Sequence, residues 1–424
     1  MEHFKSLKTS QAVRLLYTQY NVENYKRAVE LLESAADEGD ADALYFLSRC
    51  YLGDEFIWEY AEFTNDEDKA KRLLAESVKQ GSALGVLGAL RIQELTPELE
   101  EEMPFEDVKE ARDMVLKMAE SGQPFCQYMI GNTYFWDDVY EIDGLPHPLF
   151  NNEAFLALGN EQEQEEKMTE IESEVSRMAV YWFEKSVYAG YTWCAGNLLN
   201  IYKKGAFGLP KDIDKYHGIL QVCADAGNPV YQAELADQLY EEKRYEEAIY
   251  YYKTAGQSGQ LSAWFDAGYM YMEGLGVIKD PRMAVRCYQK AAEGGYIPAK
   301  RNLGICHFQG KGTDVDYERA FYYLKQAADA GDTGAYGTLG ICYLKGLGVS
   351  TDYEVARQLL EGANKTPLSL NGLGQIYADG LGVMEDIEIA VEFFQQAGDD
   401  EGKVHLANFK KGLFGKWKRR KVRK

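Results

Sequence analysis

Proline is scarce in this chain, with 10 in 424 residues. Long helices are therefore permitted, since proline both removes a backbone donor and clashes with the preceding turn. Histidine is scarcer still: His3, His147, His217, His307 and His405. No two of them stand four apart and none lies in H-E-x-x-H, so a metal-hydrolase ligand set is missing and no metal or cofactor is expected. The seven cysteines form no C-x-x-C pair. Their odd number speaks against a disulfide framework and for a reducing compartment. No apolar run of about 18 residues is present to cross a membrane. Met1-Glu2-His3-Phe4-Lys5 opens without the apolar stretch of a secretory signal. A cytoplasmic location is expected.

Positive charge is also short. The net charge is −22 and the pI is near 4.8, which makes the body a poor ligand for phosphate backbones. The basic residues that exist are gathered at one end. Between Lys403 and Lys424 lie ten Lys or Arg and no Asp or Glu.

Glycine, by contrast, is abundant at 40 residues. A helical chain needs a local reason for that, and a repeat supplies it. Gly268, Gly304 and Gly340 are spaced by 36 residues and Gly374 follows after 34. Around them the text recurs: Ala299, Leu303-Gly304 and His307, then Gly310-x-Gly312, Asp316, Ala320 and Ala327-Ala328 with Gly331; next Ala335, Leu339-Gly340, Tyr343, Gly346-x-Gly348, Asp352 and Ala356. Small or apolar residues at i, i+4, i+5 and i+8 make one face of a first helix, A. The L-G glycine allows close helix approach, and G-x-G ends helix A with positive-φ-tolerant residues. Asp280, Asp316, Asp352 and Asp386 stand where an N-cap begins a second helix, B. A small pair followed by Gly carries the same register back to Ala35-Ala36 with Gly39.

This pattern resembles the Sel1-like repeat family, a relative of the tetratricopeptide repeat with a longer unit. The resemblance is strong over 261–400 and degenerate over 1–260. It implies an all-α, right-handed α-solenoid of about ten antiparallel helix-pair repeats, closed by a C-terminal capping helix and basic tail over 401–424. It also implies an adaptor or scaffold that binds a partner protein or peptide, not an enzyme. The residues agree: no P-loop, nucleophile–base set or paired carboxylates stand out. His307 fills the Tyr slot of helix A and reads as packing.

Three insertions fall between helices A and B of successive units, at 53–66, 93–106 and 137–174. They are expected to build one acidic rim, with Trp58, Tyr60 and Phe63 exposed on it. The last carries twelve acidic residues and one Lys; its part from Glu161 to Glu174 reads as an exposed helical lead-in. A solvated linker is the competing reading. In tetratricopeptide arrays helix A lines the concave face. Carried over position by position, this puts Tyr45, Arg49, Tyr128, Asn132, Asn200, Lys203, Tyr269 and Arg301 on the binding surface, against the plainer reading of helix-surface polarity. Lys416, Lys418, Arg419, Arg420, Lys421, Arg423 and Lys424 form the tail. It either caps the last repeat, contacts nucleic acid or an anionic membrane, or docks on acidic residues of this chain or a second copy. An acidic inhibitor or immunity-type protein that neutralises a basic partner also fits the charge.

Overall fold

The computed structural model describes residues 4–18, 22–52, 65–147, 153–205, 209–411 and 415–420. Among them are 24 α-helices and one two-stranded sheet. The chain divides into two compact units, Met1–Gln238 with Gln257–Gly259, and Leu239–Gly256 with Gln260–Lys424.

The first unit stacks five helix pairs. These are α1 (Leu7–Thr18) with α2 (Val22–Asp37), α3 (Ala41–Leu52) with α4 (Glu67–Lys79), and α5 (Ala83–Arg91) with α7 (Val108–Glu120). The short α6 (Pro97–Glu102) lies within the third. Then come α8 (Pro124–Phe135) with α11 (Glu161–Tyr188), and α12 (Ala195–Lys204) with α13 (Ile213–Asp225). Between α8 and α11 run α9 (Asp138–Ile142) and α10 (Glu153–Leu156). Helices α14 (Pro229–Glu241) and α15 (Tyr245–Gln257) fall at the division in the sequence.

The second unit stacks four regular pairs: α16 (Leu261–Glu273) with α17 (Pro281–Glu293), α18 (Ile297–Gln309) with α19 (Tyr317–Asp329), α20 (Tyr336–Lys345) with α21 (Tyr353–Gly362), and α22 (Pro367–Asp379) with α23 (Ile387–Ala397). The fold is all-α, a solenoid-type stack of helix pairs, and a short capping helix α24 (Asp400–Leu406) follows. Beyond it the chain does not continue as helix. It folds into an antiparallel hairpin of β1 (Phe409–Lys411) and β2 (Trp417–Arg419).

The repeat signature has the physical meaning expected of it. Each of Asp280, Asp316, Asp352 and Asp386 caps its helix by accepting a backbone N–H. In the first unit Asp66, Asp107 and Asp212 do the same. The G-x-G pair does more than turn the chain. A Cβ on Gly348 would stand 2.0 Å from the Tyr317 carbonyl oxygen, in the B helix of the preceding repeat. The second glycine is therefore a contact between repeats as well as a positive-φ residue.

A second link between repeats comes from the polar residue just after the closing glycine. Thr9 donates to Asp40, Ser82 to Asp42 at 2.7 Å, and Asn228 to Thr192 at 3.0 Å. In the second unit Arg301 reaches Asp332 at 2.9 Å and Asn371 reaches Asp399 at 3.0 Å. Each such bond contributes about 1 kcal/mol and fixes which neighbour a helix A accepts.

Candidate functional site: a cleft in the first unit

Four of the residues assigned to the binding surface converge. Tyr45 and Arg49, one helical turn apart on α3, face Tyr128 and Asn132, one turn apart on α8. With Leu52, Leu87, Arg91, Trp136 and Asp138 they line a cleft of about 300 Å³. Small residues make the approach possible: a Cβ on Gly88 of α5 would stand 2.5 Å from the Tyr45 ring.

The inner face here is less open than a bare groove. Tyr17, Phe46, Phe125, Tyr128 and Tyr191 close into a continuous aromatic wall, with ring centroids 4.7 Å apart for Phe46–Phe125 and 5.0 Å for Tyr17–Tyr191. Tyr45 is only 3% exposed, so it shapes the cleft floor more than it presents a free ring. A second cavity of about 550 Å³ is lined by Phe125 with Phe4, Val13, Arg14, Tyr17 and Tyr191.

Polar groups are set into this wall. Arg49 donates to the Tyr45 hydroxyl at 3.3 Å, and its guanidinium lies 5.3 Å from the Phe125 centroid and 5.8 Å from that of Tyr128. Rings held this way flank a cation without neutralising it. Arg91 lies 4.3 Å over the Trp136 ring and 3.8 Å from Asp138. Burial pushes the Asp138 carboxyl up to about 6, with Arg91 opposing the shift. Asn132 is 9% exposed, and its side-chain oxygen has no hydrogen-bond partner among the described residues. A buried acceptor left unpaired costs on the order of 1–3 kcal/mol.

The other assigned residues stay outside this cleft. Asn200 is exposed on α12 and does not extend the Asn132 slot. Lys203 pairs with Glu234 at 3.9 Å and lies 5.1 Å over the Tyr216 ring. Tyr269 is 44% exposed in the second unit. Arg301 is held by Asp332, which makes it a link between repeats. Trp58, Tyr60 and Phe63 lie outside the described residues.

The 93–106 insertion contains a helix, with Leu99 and Met103 buried under it. Within 137–174, residues 138–145 are packed, not a solvated linker. Val139 and Tyr140 join Val175 in a small core, and Arg112 clamps Asp143 with bonds of 2.6 and 3.1 Å. Its second part is an exposed helix, the first half of α11.

In the tail, Arg419 bonds Asp379 at 2.6 Å, Glu385 at 3.2 Å and the Ala378 carbonyl. Phe409 is buried against Phe394. Lys416, Lys418 and Arg420 are exposed, while Lys421, Arg423 and Lys424 lie outside the described residues.

His307 is buried, stacked on Tyr323 at 6.1 Å, and burial lowers its pKa. All seven cysteines are buried thiols, and burial pushes Cys194 up to about 12, which suppresses thiolate reactivity. Among the described residues no group of His, Cys, Asp or Glu is arranged to hold a metal, and no helix is long and apolar enough to cross a membrane.

Comparison with known proteins identifies the repeat. The Sel1 repeat model matches residues 20–40, 41–82, 173–191, 232–260, 262–296, 297–332, 336–363 and 367–400, more than half of the chain. No curated protein matches significantly. Among solved structures, a Sel1 repeat protein from Oxalobacter formigenes is 24% identical, covering 67% of this chain and 96% of its own, with a TM-score of 0.42. A protective antigen with an SLR fold from uropathogenic Escherichia coli strains is 21% identical, covering 94% and 85%, with a TM-score of 0.46. An immunity protein from Pseudomonas aeruginosa is 16% identical, covering 57% and 83%, with a TM-score of 0.29. The capped helix pairs and their recurring glycines are thus Sel1 units, and the chain belongs to the Sel1 repeat family, whose members generally mediate protein–protein interaction.

Proposed function

We propose that this protein is a non-catalytic cytoplasmic adaptor that receives an extended segment of a partner protein in the cleft formed by α3, α5 and α8. The observation that carries this reading is the buried, unpartnered oxygen of Asn132 in a cleft that Arg49 also lines. A backbone N–H of the partner satisfies the oxygen, and apolar side chains settle against Leu52 and Leu87. The fold itself is typically a binding scaffold, and seven buried free thiols suit a reducing compartment.

The test is a peptide-display selection against the whole chain and against Asn132→Leu. That substitution keeps the branched shape and heavy-atom count and removes the acceptor. Sequences enriched on the native protein and lost on the variant support the cleft. An unchanged enrichment profile removes it from the argument.

A further inference from the structure

The hairpin at the C-terminal end holds an unrelieved repulsion. Its register sets Lys410 directly opposite Lys418, and neither forms an ion pair among the described residues. Like charges facing across a strand pair are destabilising. The hairpin keeps them because its other residues anchor it: Phe409 is buried, and Arg419 and the Trp417 N–H are bonded to Asp379, Glu385 and Glu388. What faces outward is a fixed row of positive charge.

The first unit carries the opposite charge with the same unrelieved cost. Helix α11 exposes Glu166, Glu170 and Glu174, spaced four apart on one face, and none is ion-paired among the described residues. Carboxylates at i, i+4 repel along a helix. Their rise of about 6 Å per step is close to the roughly 5 Å between directly opposed side chains of a strand pair. Each row supplies the charges the other lacks.

We infer that the lysine face of the C-terminal hairpin docks on the Glu166–Glu174 face of α11 in a second copy of this chain. A planar membrane or a long nucleic acid fits less well. Trp417 is packed into the last repeat's core with Lys411 over its ring at 5.5 Å, so it is not free to insert or stack. The Glu166–Glu174 face offers its carboxylates at a spacing that matches the paired lysines, a match an irregular polyanion does not provide. The contact joins two different surfaces, so it is heterologous and grows head to tail. It is independent of the cleft.

Sedimentation velocity on the full chain tests this at about 50 mM and about 500 mM salt, where screening lengths differ several-fold. The expected result is concentration-dependent association at low salt that dissolves at high salt. Lys410→Glu with Lys418→Glu, and separately Glu166→Lys with Glu170→Lys, should each weaken self-association by about tenfold or more. Mixing the two variants should give a complex, because the swapped rows again oppose. Circular dichroism confirms that each variant is folded. A native chain that stays monomeric at low salt overturns the inference, as does association unaffected by either swap. Binding of the monomer to anionic vesicles or duplex DNA that is lost in the lysine variant overturns it in favour of a polyanion.

Discussion

Arg301 of α18 donates from Nη1 to both carboxylate oxygens of Asp332, each at 2.9 Å, across the junction between two repeats. Asp332 in turn caps the short turn that begins the next helix A by accepting the Gly334 N–H at 2.9 Å. One residue therefore ends one interface and starts the next helix. Arg301→Ala is expected to lower unfolding free energy by about 1 kcal/mol, the scale of a partly exposed charge-assisted bond. The measurement is urea denaturation. Peptide capture by the first-unit cleft should be unchanged, which separates a structural role from the binding role that helix position alone suggested.

The second glycine of G-x-G offers a sharper contrast. Gly348 has φ +72°, and a Cβ there meets the Tyr317 oxygen at 2.0 Å; Gly331 has φ +87° with open space around it. Gly331→Ala carries the conformational cost alone, about 1–2 kcal/mol. Gly348→Ala adds a backbone clash between repeats and should cost more than twice as much, on the scale of an overpacked interior. Denaturant midpoints of the two variants, measured side by side, check the order. Equal losses would mean that the second glycine is only a turn residue.

These two positions mark what the sequence made legible. Period, caps and turns were readable because each is local: Asp316 four residues before Ala320, Gly346 two before Gly348. Repeat geometry carries a helix position from unit to unit, and Tyr45, Arg49, Tyr128 and Asn132, four of the eight residues it picks, line one cleft while Asn200, Lys203, Tyr269 and Arg301 do not. Contacts that depend on what stands opposite were not legible. Helix position assigns Arg301 to the binding surface, and only the opposing Asp332 makes it a link between repeats, although the polar residue after closing glycines such as Gly39, Gly81, Gly227, Gly331 and Gly398 is a usable signal. The hairpin was missed because three-residue strands leave almost no periodic trace, and Lys-rich text reads as solvated tail. The aromatic wall is not legible because its rings come from four helix pairs whose facing no single repeat encodes.

One of the hairpin's anchors is the Phe409 side chain. Phe409 is 5% exposed and packs on Phe394, itself buried at 1%. Phe409→Ala should cost about 3 kcal/mol. In a stack stabilised by neighbours, the loss should stay local. Hydrogen exchange is expected to quicken in α23 and α24 and to remain native in α16 to α19. Uniform acceleration along the second unit would instead indicate that the four regular repeats open as a single block.

The cleft should also respond to pH through Asp138. Its carboxyl is raised to about 6 by burial, and Arg91 pulls it back toward ionisation. Because the folded-state value lies above the ordinary carboxylate value of 3.8, ionisation opposes folding. Relative to Asp138→Asn, the native protein should lose stability as pH rises from about 4 to about 6, with the full cost present above that range. Removing the nearby cation by Arg91→Ala should raise the Asp138 value further, since the opposing charge is gone. Carbon-detected NMR titration of the Asp138 carboxyl measures both shifts. A value near 4 in the native chain, unmoved by Arg91→Ala, would show that the carboxyl is solvated and that Asp138 is not a buried part of the cleft wall.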